Sequence, residues 1–115
     1  MAQVYIGTEI KLLVKVDSIQ ETHLENWYWE AKVYTTPKSF IEIKKSEGQN
    51  STWKPADDED SIILLIDTST LSPGALKCQM KIEVEDGDFP ADAEGNRRRT
   101  EIAIVYPGIE LIKAY

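Results

Sequence analysis

One cysteine and one histidine among 115 residues is a small stock of reactive side chains, and each scarcity excludes chemistry. With Cys78 alone, no disulfide can close within the chain, so the fold has to be held by its core. Cys78 falls on the apolar side of an alternating segment and reads as a small buried hydrophobe; a nucleophile would need an accessible, electropositive setting. His23 lies in a polar stretch with no second histidine and no cysteine nearby, whereas zinc takes three or four such ligands. The six glycines are scattered singly, so no glycine-rich loop cradles a phosphate. No G-x-S-x-G turn supports a Ser-His-Asp arrangement, and nothing marks the cleft that paired glycosidase carboxylates need. No apolar run approaches the ~20 residues of a membrane-spanning helix. The opening M-A-Q-V-Y-I-G-T-E-I lacks a basic region followed by an apolar run, so it does not read as a signal peptide. Basic residues are outnumbered, 13 against 20, for a net charge of −7, which argues against nucleic acid or an anionic membrane as partner. These absences together predict a protein that is not an enzyme and carries no cofactor.

What the chain does have is strand pattern. Leu76, Cys78, Met80, Ile82 and Val84 alternate with Lys77, Gln79, Lys81, Glu83 and Glu85. A period of two over ten residues marks a half-buried strand, because successive side chains point to opposite faces. Ser72-Pro73-Gly74 ahead of it is turn chemistry. Further strands are expected at Thr8 to Val16, Asn26 to Thr36, Phe40 to Lys44, Ser61 to Ile66, Arg99 to Tyr106 and Ile109 to Ile112. Ser61 to Ile66 is apolar nearly throughout, as suits a strand covered on both faces. No 3.6-residue apolar stripe appears; Asp17 to Leu24 could form one helical turn. The length suits one domain, residues 1–115, and about seven closely spaced strands predict an all-β, antiparallel sandwich. Trp27, Trp29, Phe40 and Trp53 are expected as the large pieces of its core. No Cys–Trp–Cys pattern is present, so an antibody-type domain is not implied.

Three features are candidates for function. The loop D-G-D-F-P-A-D-A-E-G-N is acidic, and Asp86, Asp88 and Asp92 are weak calcium candidates; Pro90 in the fifth position breaks the EF-hand spacing. The triplet Arg97-Arg98-Arg99 beside that loop either pairs with it internally or serves contact with another chain, together with Asp88 and Phe89. Trp53, in a long polar stretch, is expected to plug an end of the sandwich or an interface. Trp27 and Trp29 share one face of their strand with Tyr28 and Tyr34 opposite, and whichever face is not core could stack sugars or meet a protein.

The order of these pieces also resembles a known family. Y-I-G-T-E-I-K-L-L-V-K-V, W-E-A-K-V-Y-T-T-P-K-S-F-I-E-I-K-K-S-E, I-I-L-L-I-D-T-S-T-L-S-P-G-A-L-K-C and D-G-D-F-P-A-D-A-E-G-N-R-R-R-T-E-I together are similar to short proteins of phages and prophages of Bacteroides-type gut bacteria, including crAss-like phages. The resemblance runs over nearly the whole chain; the D-F-P loop and D-T-S-T-L-S-P-G are its most specific parts, and A-D-A-E-G-N lengthens the loop relative to the family pattern. What the resemblance implies is an Ig-like β-sandwich that is part of a virion. Such modules decorate the head or anchor head fibres, or sit in tail and baseplate assemblies. The implied partners are other virion proteins (capsid, fibre or baseplate subunits) and further copies of the chain in a homo-oligomer or symmetric array. A carbohydrate-binding sandwich is the alternative that the aromatic residues support.

Overall fold

A computed structural model of the protein describes residues 2–15, 28–57 and 61–113. Trp27, His23 and the Asp17–Leu24 segment, with its expected helical turn, lie outside the described residues.

Among the described residues ten strands follow one another in the order β1 (Ala2–Tyr5), β2 (Glu9–Lys15), β3 (Tyr28–Thr36), β4 (Ser39–Lys44), β5 (Trp53–Pro55), β6 (Ser61–Asp67), β7 (Gly74–Ala75), β8 (Lys77–Glu85), β9 (Arg98–Val105) and β10 (Ile109–Ile112). A 3-10 turn, Thr68–Thr70, follows β6. The seven expected strands are all present within two residues of the anticipated bounds, and β1, β5 and β7 are additional. Among the described residues no helix is long and apolar enough to cross a membrane.

Two sheets make the sandwich. One has the order β4-β3-β8-β9 and the other β2-β6-β5, antiparallel throughout. A third, small sheet joins β1, β10 and β7, with β1 parallel to β10. The alternation read from the sequence sets which side chains meet. Trp29, Ala31 and Val33 of β3, Ile43 of β4 and Cys78, Met80, Ile82 and Val84 of β8 face inward from the first sheet. Leu12 and Val14 of β2, Trp53 of β5 and Ile62, Leu64 and Ile66 of β6 meet them from the second. Burying a side chain of this size contributes about 1.5–3 kcal/mol, so this single cluster is the main source of stability. Ser61–Asp67 is only partly two-sided: Ile63 and Leu65, on its other face, stay half-buried.

One expectation for the core needs correction, and Trp53, which is core as expected, needs a different setting. Phe40 is 47% exposed, because Ile41 and Ile43 take the inward positions of β4 and the period of two then turns Phe40 outward. Trp53 is not in a loop; it forms β5, pairs with Leu64 and is 4% exposed.

The segment D-T-S-T-L-S-P-G is a clasp over one end of the sandwich. Asp67 caps the 3-10 turn by accepting a bond from the Ser69 amide at 3.0 Å. Thr68 is fully buried; its hydroxyl donates to the Thr8 carbonyl at 2.7 Å and accepts from the Gly7 amide at 3.0 Å, fastening the β1–β2 turn. The carbonyls of Thr70 and Ser72 accept from Ser39 and Thr35, which ties the clasp to β3 and β4. Gly74 sits at φ +141, a conformation other residues rarely adopt, and this lets the chain turn into its pairing with β10.

Candidate interaction surface

The outer face of the β4-β3-β8-β9 sheet is built from the residues that the core leaves out. Register places Glu42, Lys32, Gln79 and Ile104 in one row across the four strands, and Lys44, Glu30, Lys81 and Ile102 in the next. Three strands therefore present charged and amide groups, and β9 presents isoleucine. Ile102 is 64% exposed, Ile104 47% and Tyr106, just beyond the strand, 70%. The opposite face of β9 carries Glu101, Ala103 and Val105, half-buried against the margin of the core. Two neighbouring aliphatic side chains and a phenol ring at one margin form the apolar patch of this face.

At the other margin of the same sheet, Phe40 pairs with Tyr34 across β4 and β3. The Lys32 ammonium stands 4.9 Å from the centre of the Phe40 ring, a cation–π contact. Lys32, Tyr34, Pro37, Phe40 and Gln79 line a shallow cleft of about 260 Å³. Tyr28, lower on this face, donates to Glu30 at 3.1 Å, and that bond raises its phenol above the usual value. An aromatic floor with a cation and an amide at its rim can stack a planar or sugar-like ring.

The acidic loop and the arginine triplet form one self-satisfied structure. Asp86 accepts from the Asp88 amide at 3.0 Å and from Arg99 Nε at 3.2 Å. Asp92 accepts from the Glu94 and Asn96 amides, both at 2.9 Å, and these bonds, that of Asn96 first, hold its carboxyl below the usual range. Arg97 donates to the Phe89 carbonyl at 2.9 Å and so closes the loop on itself. Arg98 lies on the outer face, 3.4 Å from Glu83. Arg99 is turned the other way, bonded to Asp86 and to Glu101, and Glu101 is the main cause of its raised pKa.

The structure thus sorts the residues singled out from sequence. Asp88 and Phe89 are exposed at the loop tip and Arg97 stands beside them, so these three remain available for contact. Arg99 is an internal clamp instead. Trp53 is removed from the interface set: it is core, with its indole N–H donating to the Glu47 carbonyl at 3.2 Å. Asp86, Asp88 and Asp92 are not brought together, since the first and last are each committed to a different turn of the loop. Among the described residues no three His, Cys, Asp or Glu side chains are grouped as a metal site requires. Cys78 is fully buried and its thiol is pushed up to about 12 by burial. Ile102, Ile104 and Tyr106 are not among the sequence candidates; register with β8 finds the first two, since Lys81 and Gln79 opposite them face out, and Tyr106 lies just past the strand. No family model matches the chain, and no curated protein or solved structure is significantly similar to it.

Proposed function

We propose that this chain is a non-enzymatic structural module that joins a larger assembly through an edge of its sandwich, and that the assembly is a phage particle. The observation that carries the docking role is the β9 margin, where Ile102, Ile104 and Tyr106 are exposed beside rows of charged and amide side chains on the neighbouring strands. Solvent-exposed strand edges with apolar side chains recruit other chains. The virion setting is supported by the order of motifs along the chain, which resembles that of short Ig-like proteins of Bacteroides phages and prophages. The strand orders β4-β3-β8-β9 and β2-β6-β5 are compatible with an Ig-like arrangement. Within a particle the favoured place is the head, as a capsid decoration or an anchor for head fibres, with a tail or baseplate position as the runner-up. Partners are then capsid, fibre or baseplate subunits. The test is direct: particles induced from a host carrying this gene are purified and analysed by mass spectrometry and gold-labelled electron microscopy. Stoichiometric recovery of the chain and label on heads are expected; particles devoid of the chain sink the reading.

A second reading, a carbohydrate-binding sandwich, draws on a different place. The cleft floored by Phe40 and Tyr34, with Lys32 above the ring, has the aromatic surface that sugars stack on. Retention on a glycan array that Phe40→Ala abolishes, with unfolding midpoint unchanged, would favour it; no retention on any glycan removes it.

A further inference from the structure

We infer that β9 pairs antiparallel with β9 of a second copy about a two-fold axis at Ile102, giving a dimer with one continuous eight-stranded sheet. The inference deepens the assembly role proposed above and rests on it for its biological setting.

The backbone supplies the first argument. β9 is the last strand of its sheet, bonded to β8 on one side only among the described residues. In an antiparallel pair, opposite residues alternate between exchanging both bonds and exchanging none. The Asp86 amide bonds the Arg97 carbonyl at 2.9 Å, and the register continues Val84–Arg99, Ile82–Glu101 and Met80–Ala103. The odd residues of β9 are therefore the ones bonded to β8. The even ones, Thr100, Ile102 and Ile104, direct their N–H and C=O groups to the free edge, whereas beside Arg97 that edge is taken by the loop's bridge to Ala91. Their side chains are also those on the outer face.

The second argument is contrast with the other edges. Monomeric proteins blunt a free strand with charge, proline or a bulge. β2 alternates outward Glu9, Lys11, Leu13 and Lys15. β4 carries outward Glu42 and Lys44, and its pairing with β3 is interrupted by a register shift between Tyr34 and Thr36, next to Pro37. β9 has none of these devices between Thr100 and Ile104.

Charge narrows the register, and apolar matching completes the choice of occupant. A two-fold axis at Arg98 would set Arg98 against itself, and one at Glu101 would oppose two carboxylates; like charges directly opposite destabilise a sheet. Centred on Ile102, the pairing sets Ile102 on Ile102, Thr100 opposite Ile104 and Glu101 opposite Ala103. It also lays the Arg98 guanidinium across the exposed ring of Tyr106 in the other copy, a favourable cation–π pairing. The strand is complementary to its own reverse, which is what an isologous interface requires.

The experiment uses the full chain. Sedimentation velocity over about 1 to 100 µM should show a species of twice the chain mass whose fraction follows mass action. Ile102→Lys should abolish it. Thr100→Pro should do the same, because that N–H points to the free edge and its loss leaves the β8 ladder intact. Far-ultraviolet circular dichroism and continued protection of Cys78 show that both variants remain folded. The register is read by Ile102→Cys, which should form an intermolecular disulfide under mild oxidation, whereas Thr100→Cys should not, its partner position being Ile104. A monomer across the whole range, or a dimer indifferent to Ile102→Lys and Thr100→Pro, overturns the proposal. A monomer nonetheless found in particles overturns it while leaving the assembly role intact; a dimer never found in particles does the reverse.

Discussion

Trp53 of one sheet stands edge-on to Trp29 of the other, ring centres 5.1 Å apart and planes at 78°. This pair bridges the two layers of the sandwich. Such a contact adds about 0.5–1.5 kcal/mol beyond the area it buries. The two indoles differ in their polar ends. Trp53 Nε1 donates to the Glu47 carbonyl, whereas Trp29 Nε1 is buried with no acceptor among the described residues. Trp53→Ala should cost about 3–5 kcal/mol in urea unfolding. Trp53→Phe should cost about 1 kcal/mol more than Trp29→Phe, since the first change breaks a bond and the second removes an unpaired donor. Equal costs for the two Phe variants would contradict this assignment.

Thr68 supplies a second test, because one hydroxyl serves both sides of the β1–β2 turn. Thr68→Val keeps the shape and leaves the Gly7 N–H and the Thr8 carbonyl unmatched. The expected loss is about 2–3 kcal/mol. Thr68→Ser keeps both bonds and gives up one methyl, at about 1 kcal/mol or less. The comparison is made by chemical denaturation of the three proteins under one buffer. A Val variant as stable as the parent would mean that the clasp contributes no bonding energy.

How far the sequence discloses this arrangement depends on how many turns of pattern each segment offers. Lys77–Glu85 repeats its alternation often enough that strand and buried face both follow, down to Cys78 and Val84. Trp53–Pro55 is three residues long, too short for any period, so its strand is visible only once Leu64 is seen opposite. Phe40 shows residue type misleading where spacing does not: parity with Ile41 and Ile43 turns it outward, though its side chain is large and apolar. The I-A-I-V run of β9 is apolar on both faces, so alternation cannot choose between them. Only the register with β8, which sets Ile102 opposite Lys81, decides it. The acidic loop was legible as turn chemistry, yet its division between Asp86, Arg97 and Arg99 depends on where β8 and β9 end.

Cys78 should be inert in the native protein. Burial pushes its thiol up to about 12, so the reactive thiolate is scarce at pH 8. A folded-state value above the ordinary 9.0 contributes stability that is complete below 9.0 and is lost as pH rises through 9 toward 12, because only the unfolded chain ionises there. Ellman's reagent at pH 8 should therefore give no colour on the native protein and one thiol per chain in denaturing urea. Prompt native reaction would place Cys78 outside the core.

Asp67 and Asp92 make the opposite pH statement. Backbone amides, of Ser69 and of Asn96 foremost, hold both carboxyls below the ordinary 3.8. A depressed value contributes stability that is present above 3.8 and disappears as pH falls through the lowered one. Carboxyl titration by NMR should give both residues midpoints under 3.8, and the amides of Glu94 and Asn96 should lose their exchange protection in the same acid range. Asp92→Ala should make the loop a preferred site of limited proteolysis at neutral pH. Ordinary midpoints would show that these turns are not closed by the side chains in solution.

The two neighbouring arginines separate internal stability from contact between chains. The Arg99 side chain is 17% exposed and joins the start of the loop, Asp86, to β9 through Glu101; that of Arg98 is 39% exposed and pairs with Glu83 at 3.4 Å. A solvated pair of the second kind contributes little, about 0–1 kcal/mol. Arg98→Ala should thus move the melting temperature by about 2 °C or less, while weakening any β9–β9 dimer through loss of the contact with Tyr106. Arg99→Ala should lower it clearly further, and Arg99→Lys should restore only part of the loss, because an ammonium cannot fork to two carboxylates. Differential scanning calorimetry, run at a concentration where the chain is monomeric, gives the order. If Arg98→Ala proved the more damaging of the two, Arg98 would be the clamp, and the outer face would lose the guanidinium that the two-fold pairing requires.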